Sequence, residues 1–204
     1  MKLYHSPTSP YVRKVMVLLH ETGQTGDVAL DSAPTTPMAP AAGLAAKNPL
    51  MKIPALERDD GATLYDSRVI CAFFDDRAGA ALYGSGGRRF EILTLEATGD
   101  GILDAALALT YENRMRPAEK RWDDWAEAQW HKIASACAAL DTRWMSHLSG
   151  PLDMGQIAVA CALGYVDFRH GARDWRQGCD ALSTWYGRFS ERASMRATVP
   201  PADG

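Results

Sequence analysis

The sequence changes character near residue 80, and this change limits the folds that the chain can adopt. Before it, short segments with strand and helix patterns alternate, which is typical of an α/β domain. After the GSGG sequence at 84–87, only long helical patterns follow. We therefore predict two domains, an α/β domain over residues 1–80 and an all-helical domain over residues 87–204.

The hydrophobic patterns predict the elements of each domain. In the first domain we expect strands at 2–5, 27–31, 53–58 and 62–66, and helices at 10–22 and 67–78. The DDG sequence at 59–61 predicts that the last two strands form an antiparallel hairpin. In the second domain we expect helices at 88–114, 118–148, 153–169 and 179–192. Asp153 and Gln156 have the spacing of a capping box at the start of the third of these helices.

Composition and charge exclude several classes of function. With 204 residues and 47% hydrophobic content, the chain can bury a sizeable core. Its net charge is −3, and its 22 basic residues are scattered, so we expect no nucleic-acid partner. The apolar run at 157–166 is about half of a membrane span, so we read it as a buried helix and expect no membrane partner. Without an apolar leader, a cytoplasmic location is expected.

The reactive residue types form none of the common catalytic or metal-binding patterns. The cysteines are far apart and lie in apolar contexts, so we interpret them as reduced core residues and expect no metal. They are Cys71, Cys137, Cys161 and Cys179. Neither an HExxH pattern, nor a GxSxG pattern, nor a phosphate-binding glycine loop occurs. Metalloprotease, hydrolase and nucleotide-binding functions therefore lose support.

The sequence TSPYVRK at 8–14 points to a small-molecule site. Ser9 is a good N-cap and Pro10 is favoured at the first position of a helix, so Ser9 should lie at a helix N-terminus. Val12 lies on the face expected to pack on a core, whereas Arg13 and Lys14 are expected to face solvent or a ligand. A hydroxyl group at the positive end of a helix dipole suits an anion.

Two further motifs add polar backbone and side-chain groups. In NPLMKIPAL, Pro54 opens a strand, so its N atom faces away from the ladder or its peptide bond is cis. In LYDSRVI, a strand ends directly in Asp66 and Ser67, which begin the next helix. This places a carboxylate, a hydroxyl group and exposed N–H groups together.

Three motifs, followed by a helical half, occur in an order and spacing that resemble those of the glutathione S-transferase family, specifically its bacterial serine-type or cysteine-type cytosolic members. The motifs are KLYHSPTSPYVRKV, NPLMKIPAL and LYDSRVI. The likeness covers nearly the whole chain. TSPYVRK also resembles the CPYC region of glutaredoxins, with Ser9 and Val12 in place of the two cysteines. The resemblance implies the glutathione S-transferase fold, which is a thioredoxin-like α/β domain followed by an all-α domain, and a homodimer.

The resemblance also implies roles for individual residues. Ser9 would stabilise the thiolate of glutathione, with Ser6 or Thr8 as alternative donors. The remaining glutathione contacts would come from Lys52, Ile53, Pro54, Asp66 and Ser67. Ile53 would pair through its backbone with the cysteinyl part, which needs a cis bond to Pro54, while Asp66 and Ser67 would hold the γ-glutamyl end. Lys52 is the candidate for the glycyl carboxylate. Met51 departs from the family because a glycine is common at this position.

The implied activity is conjugation of glutathione to a small hydrophobic electrophile, in detoxification. Tyr11, Tyr111 and Arg114 are the candidates to line the electrophile pocket, although a tyrosine packed in the core and a solvated arginine explain them equally well. Two alternatives stay open. One is a glutathione-dependent thiol reductase or lyase, which Ser9 and Val12 disfavour because they leave no thiol in the motif. The other is a glutathione-binding protein without activity.

Overall fold

Two units of different architecture make up the chain, and the structure, a computed structural model, describes residues 1–202. The first unit comprises Met1–Tyr83 and the segment that begins at Ala193, and the second unit comprises Gly84–Arg192. Sequence analysis assigns that last segment to the helical domain, whereas in the structure it packs with the first unit. A small α/β domain with three strands followed by a helical domain confirms the predicted fold class.

The first unit is built on a three-stranded sheet with the strand order β2-β1-β3. Strand β1 is Lys2–His5, β2 is Ala29–Ser32 and β3 is Ala55–Glu57; β1 pairs parallel with β2 and antiparallel with β3. The helices are α1 (Pro10–Glu21), α2 (Ser67–Ala78) and, from the end of the chain, α8 (Ala193–Ala197). Helix α1 packs against both α2 and α8. These two helices therefore cover α1 on more than one side.

This packing corrects one expectation about α1. Arg13 and Lys14 were expected to face solvent or a ligand, but both are buried, with 8% and 0% of their surface exposed. The prediction was wrong because it assumed that only one face of the helix is covered. The helix in fact buries residues around most of its circumference.

The predicted strand at 62–66 is reduced to one antiparallel bridge between Leu56 and Leu64. The two residues exchange backbone hydrogen bonds of 2.9 Å. Longer pairing is prevented because Arg58 Nε donates to the carbonyl of Ala62, which bends the connecting chain around the arginine side chain. The hairpin direction was therefore predicted correctly, but the second strand was not.

The second unit consists of helices. They are α3 (Gly86–Arg114), α4 (Asp123–Ala139), α5 (Met145–Leu148), α6 (Met154–His170) and α7 (Asp180–Ser190), with a π-helical turn at Leu140–Trp144 between α4 and α5. The predicted helix at 118–148 was wrong in its start and in its continuity. It begins only at Asp123 because the N–H of Trp122 donates to Glu112 Oε1 at 2.9 Å, which holds the preceding chain outside a helix.

Helix α6 is the centre of the second unit, as the apolar run at 157–166 predicts. Every residue from 154 to 166 is buried. The capping box is also confirmed, because Gln156 N–H donates to Asp153 Oδ1 at 3.1 Å and Asp153 N–H donates to Gln156 Oε1 at 3.2 Å. Asp153 Oδ2 in addition accepts from Arg88 at 3.0 Å and contacts His147 Nε2 at 2.8 Å. Helix α6 packs mainly against α3 and also meets α7.

The four cysteines are buried, as predicted. Burial raises the pKa of Cys137 to about 12 and also raises the pKa of Cys179. No helix among residues 1–202 is long and apolar enough to cross a membrane. In the same part of the chain, no cluster of three or more His, Cys, Asp or Glu residues could hold a metal ion.

A buried histidine makes the stability of the protein depend on pH. His170 Nε2 donates to the carbonyl of Ala106 at 2.9 Å and contacts Thr110 Oγ1 at 3.1 Å. Burial lowers the pKa of His170, and Arg173 and Arg169 lower it further, against the raising effect of the bond to Ala106. As pH falls, the unfolded chain therefore binds a proton at His170 before the folded chain does. The contribution of neutral His170 to the free energy of unfolding is fully present above the unfolded pKa and is lost as pH falls below it.

We therefore expect the free energy of unfolding to decrease as pH is lowered below about 6.5, the ordinary pKa of histidine. Denaturant unfolding of the protein and of His170→Gln over this pH range measures the effect. The variant should lose stability less steeply. The slope that remains between about pH 5 and 6.5 is attributed to His5, whose pKa is also lowered by burial, and at lower pH carboxyl groups such as Glu112, whose pKa the bond from the Trp122 N–H lowers, contribute as well. Equal slopes in both proteins would contradict the role of His170.

Candidate functional site

One end of the sheet collects the three motifs that the sequence singled out. Strand β1 runs toward this end, where the Ser6–Ser9 turn follows it, and β3 starts from this end. Tyr4 pairs with Ala55, so continuation of the register places Ser6 opposite Ile53. The bridge between Leu56 and Leu64 is antiparallel, so the chain that follows Leu64 toward Asp66 and Ser67 leads to the same end of the sheet. The three motifs therefore approach one end of the sheet.

Ser9 is the N-cap of α1, as predicted. Its Oγ accepts a hydrogen bond of 3.3 Å from the N–H of Val12, and its backbone is extended, with φ of −80° and ψ of 120°. The cap uses a lone pair of the hydroxyl oxygen and leaves the hydroxyl hydrogen available. Within residues 1–202, no acceptor takes that hydrogen. Ser6 Oγ and Thr8 Oγ1, the alternative donors, lie 3.2 Å apart and bond to each other.

Two of the titratable groups on β1, Tyr4 and His5, have environments that oppose a charged role. Tyr4 donates its hydroxyl hydrogen to Glu57 Oε2 at 2.8 Å, and this bond raises the pKa of Tyr4 to about 12. Lys47 donates to Glu57 Oε1 at 2.8 Å and, together with Tyr4, lowers the pKa of Glu57. Burial lowers the pKa of His5, which favours its neutral form. Ser9 is therefore the candidate that combines a hydroxyl hydrogen with the N-cap of α1.

The loop before β3 is held by a residue that sequence analysis missed. Asn48 is buried, donates through Nδ2 to the carbonyl of Lys52 at 2.8 Å and accepts from the N–H of Leu50 at 3.0 Å. The bond from Ile53 to Pro54 is cis, as predicted. An asparagine directly before a proline was the available signal, because its amide can fix a turn through local backbone bonds. Lys52 is exposed and Ile53 is partly buried.

Asp66 and Ser67 lie at the N-terminus of α2. Asp66 is the exposed N-cap, and its Oδ1 accepts from the N–H of Arg68 at 3.0 Å. Ser67 is 2% exposed, and its hydroxyl group makes no hydrogen bond to any other residue of the described part of the chain. The bond between Tyr65 and Asp66 is cis, which the sequence did not indicate. The site thus combines a capping carboxylate, a hydroxyl group and a helix N-terminus.

The three candidates for an electrophile pocket are divided between the two units. Tyr11 is partly buried on α1 of the first unit. Tyr111 and Arg114 lie three residues apart on α3 of the second unit, where they share a helix face. Burial raises the pKa of Tyr111, with a smaller contribution from Tyr165.

Met51 carries backbone strain in the loop before β3. Its φ is 53°, in the left-handed region that glycine tolerates best, which explains why a glycine suits this position. The left-handed conformation costs an ordinary residue about 1–2 kcal/mol, which glycine avoids. Glycine in turn costs about 0.4–1 kcal/mol of stability, because it makes the unfolded chain more flexible. We therefore expect Met51→Gly to stabilise the protein by roughly 0.5–1 kcal/mol.

Denaturant unfolding of Met51→Gly and of two comparison variants tests this prediction. Ala81 also has a positive φ, of 57°, so Ala81→Gly should stabilise as well. Its exposed neighbour Ala80 has no such φ, so Ala80→Gly should destabilise by about 0.5–1 kcal/mol. If Met51→Gly and Ala80→Gly had the same sign, the strain at Met51 would be refuted.

Comparison with known proteins identifies the class to which this fold and site belong. Residues 3–82 match the family model of the glutathione S-transferase N-terminal domain, and residues 123–188 match that of the glutathione S-transferase C-terminal domain. The uncharacterized GST-like protein YibF of Escherichia coli K12 is 32% identical over 98% of this chain and 99% of its own. The chain belongs to the glutathione S-transferase family.

Two crystal structures of a glutathione transferase family member from Pseudomonas fluorescens Pf-5 are similar over almost the whole chain. One, with bound glutathione, has 49% identity and a TM-score of 0.95 over 98% of both chains. The other, with bound S-(propanoic acid)-glutathione, has 47% identity and a TM-score of 0.91 over 98% of this chain and 100% of its own. These relatives bind glutathione and an S-substituted form of it.

Proposed function

We propose that the protein is a glutathione transferase that joins the thiolate of glutathione to a small hydrophobic electrophile. The observation that carries the proposal is the Ser9 hydroxyl group, which caps α1 through its oxygen and keeps its hydrogen for an anion. The glutathione bound in the Pseudomonas relative supports the ligand. In this reaction the thiol proton is released to water when the thiolate forms, and the sulfur then bonds to an electrophilic carbon. In a substitution the leaving group departs with the electron pair of the broken bond, and in an addition that electron pair stays on the product and takes up a proton from water.

The energy that Ser9 can supply matches the task. A free thiol has a pKa of about 8.5, and lowering it by about two pH units requires roughly 2.7 kcal/mol of preference for the thiolate. A hydrogen bond to a charged group contributes about 1.5–3 kcal/mol, and a helix N-terminus contributes about 0.3–1 kcal/mol. The two contributions suffice without a general base.

The rest of glutathione fits the other two motifs. The backbone of Ile53 would pair with the cysteinyl part in the manner of an added strand. Asp66 would bind the ammonium group through the oxygen that does not cap α2, and Ser67 with the α2 N-terminus would bind the α-carboxylate. Lys52 is exposed beside Ile53 and is our candidate for the glycyl carboxylate. Asn48 would keep Lys52 and Ile53 in place.

Further parts of the proposal concern the electrophile and the assembly. Tyr11, Tyr111 and Arg114 would contact the electrophile, in a detoxification role in the cytoplasm.

We also propose a homodimer, because the first unit exposes 60% of Leu50 and 45% of Val69, and the second exposes 70% of Phe90. Sedimentation should give a mass near twice 22.3 kDa at micromolar protein, and a stable monomer would contradict the dimer.

Two measurements on the same protein test the function. Isothermal calorimetry with glutathione should show binding, and assays with several electrophiles should show turnover that depends on glutathione. Binding without any turnover would leave a non-catalytic glutathione-binding protein. Reduction of a mixed disulfide without conjugation would favour the thiol reductase, which the burial of all four cysteines argues against. Absence of binding would overturn the proposal.

A further inference from the structure

The end of the chain lies along the helix that presents Ser9. We call residues 193–198 the C-terminal strap; it consists of α8 and Thr198. Near the C-terminus of α1, the hydroxyl group of Ser194 donates to Glu21 Oε1. Near its N-terminus, Arg13 Nη2 donates to the carbonyl of Met195 at 3.1 Å and Arg13 Nε donates to Thr198 Oγ1 at 3.4 Å. The strap therefore holds α1 at both ends.

Of the two α1 residues that bind the strap, Arg13 and Glu21, Arg13 is closer to Ser9 along the helix. Its residue is 8% exposed, and its guanidinium group donates to a carbonyl and to a hydroxyl group of the strap. A buried cation is costly unless its donors are bonded, so the carbonyl and the hydroxyl group of the strap stabilise Arg13 where it lies. Thr198 is itself fixed, because its hydroxyl group donates to the carbonyl of Ser194 at 2.9 Å.

Backbone hydrogen bonds connect Arg13 to Ser9, the residue proposed to bind the sulfur of glutathione. The N–H of Arg13 donates to the carbonyl of Ser9 at 3.0 Å, and the N–H of the preceding Val12 donates to Ser9 Oγ at 3.3 Å. The first turn of α1 is thus closed by one bond from Arg13 and one from Val12. A shift of Arg13 moves this turn, and the direction of the Ser9 hydroxyl group changes with it.

From these contacts we infer that Arg13 is a positioning residue, which together with the C-terminal strap sets the place of the Ser9 hydroxyl group. The inference rests on the proposed function of Ser9, because Arg13 acts through Ser9 and does not touch the ligand. It assigns a role in the first unit to a segment that sequence analysis gave to the helical domain.

The first test replaces Arg13 and measures the pKa of the thiol of bound glutathione. Arg13→Met should raise the pKa of glutathione's thiol in the complex by roughly one pH unit, which from a pKa of about 6.5 is about a threefold loss of thiolate at pH 7, with little change in the KM for glutathione. Arg13→Lys retains the charge and one donor and should recover part of the shift. Thr198→Val, a milder change in the strap, should give a smaller shift in the same direction.

Matched variants show whether the effect belongs to this contact. Thr94 makes the same kind of bond, to the carbonyl of Phe90 on α3, so Thr94→Val controls for the loss of such a hydroxyl group. Arg77 is a cation of the first unit that binds Gln24 and Asp27, so Arg77→Met controls for the loss of a positive charge. Both controls should leave the thiol titration unchanged. An equal shift in either control would overturn the inference.

A double variant separates positioning from a direct effect of the charge. If Arg13 acts through Ser9, Ser9→Ala with Arg13→Met should shift the thiol pKa no further than Ser9→Ala alone. Hydrogen exchange gives a second readout, because the Val12 amide should exchange faster in Arg13→Met than in the unchanged protein. Additive pKa shifts would show that the charge acts on the sulfur directly and would overturn the positioning role.

The same set distinguishes failure of this inference from failure of the proposed function. If Ser9→Ala leaves the thiol titration unchanged, the role of Ser9 fails and the inference fails with it. If Ser9→Ala shifts the titration and Arg13→Met and Thr198→Val do not, only the positioning role fails. Thr198→Val keeps the buried cation and its bond to Met195, so it supplies a folded protein should Arg13→Met not fold.

Discussion

Gly99→Ala is expected to destabilise the second unit by about 1–3 kcal/mol, because an added methyl group has no room there. Gly99 is buried on α3, where α3 packs against α6. A Cβ at this position would lie 2.8 Å from both the carbonyl carbon and oxygen of Ala158 and 3.0 Å from the nitrogen of Val159. These are backbone atoms of a buried helix, so the two helices would have to separate.

Gly101, two residues further along α3, is the matched control. It is exposed, and a Cβ there would meet no atom within 4 Å. Alanine is the better helix former by about 0.8–1 kcal/mol, so Gly101→Ala should stabilise the protein by roughly that amount. Thermal or denaturant unfolding of both variants measures the difference. If both substitutions stabilised the protein, the close approach of α3 and α6 at Gly99 would be wrong.

Ser9→Ala is expected to raise the pKa of the glutathione thiol in the complex by about one to two pH units, since the lost bond to a charged sulfur is worth roughly 1.5–3 kcal/mol. Turnover at pH 7 should fall with the thiolate fraction, by about threefold for a shift of one pH unit from a pKa of about 6.5 and by about 25-fold for a shift of two. Glutathione affinity should change little, because Ile53, Asp66 and Ser67 would still bind the peptide. Rates measured over a range of pH, with calorimetric affinity beside them, check both parts.

The loss of the helix cap is a second effect of Ser9→Ala and needs its own control. Alanine at an N-cap costs about 1 kcal/mol of stability, whereas glycine costs only a few tenths. Ser9→Gly should therefore lose the same turnover as Ser9→Ala with a smaller loss of stability. If turnover instead followed stability through the two variants, Ser9 would act only as a cap.

Ser9→Cys explores the resemblance to glutaredoxins. A thiol at a helix N-terminus has a lowered pKa, so this variant should gain some glutathione-dependent disulfide reductase activity. Arg13 and Lys14 cannot assist as solvent-facing neighbours, because both are buried. The helix N-terminus alone would have to activate the thiol, and a variant without any reductase activity would show that it does not.

Local patterns were sufficient to predict the parts of the site that depend on local chemistry. A serine before a proline predicted the cap at Ser9. A proline at the start of a strand allowed a cis bond at Pro54, and the family resemblance predicted it. The capping box at Asp153 followed from spacing alone. In each case the partner atoms lie within a few residues along the chain, so the sequence contains the whole interaction.

Contacts between distant segments were beyond such reasoning. Nothing near Arg13 indicates that residues at 195 and 198 accept its hydrogen bonds, so a pattern-based reading left it exposed. The start of α4 moved to Asp123 because of a bond from Trp122 to Glu112, ten residues earlier. The strand predicted at 62–66 was lost to a bend around Arg58, whose bond to Ala62 is local but leaves no mark in the hydrophobic pattern. Each error comes from a polar side chain whose hydrogen-bond partner the hydrophobic pattern does not reveal.

The most direct test of the central claim is a titration of the thiol of glutathione while it is bound to the protein. The ultraviolet absorbance of the thiolate, followed against pH in saturated complexes, gives the pKa in the unchanged protein and in Ser9→Ala. We expect a pKa clearly below about 8.5 in the unchanged protein and a value about one to two pH units higher in the variant. The same titration curve in both complexes would contradict the account, and Ser6 or Thr8 would then be the next candidates to hold the sulfur.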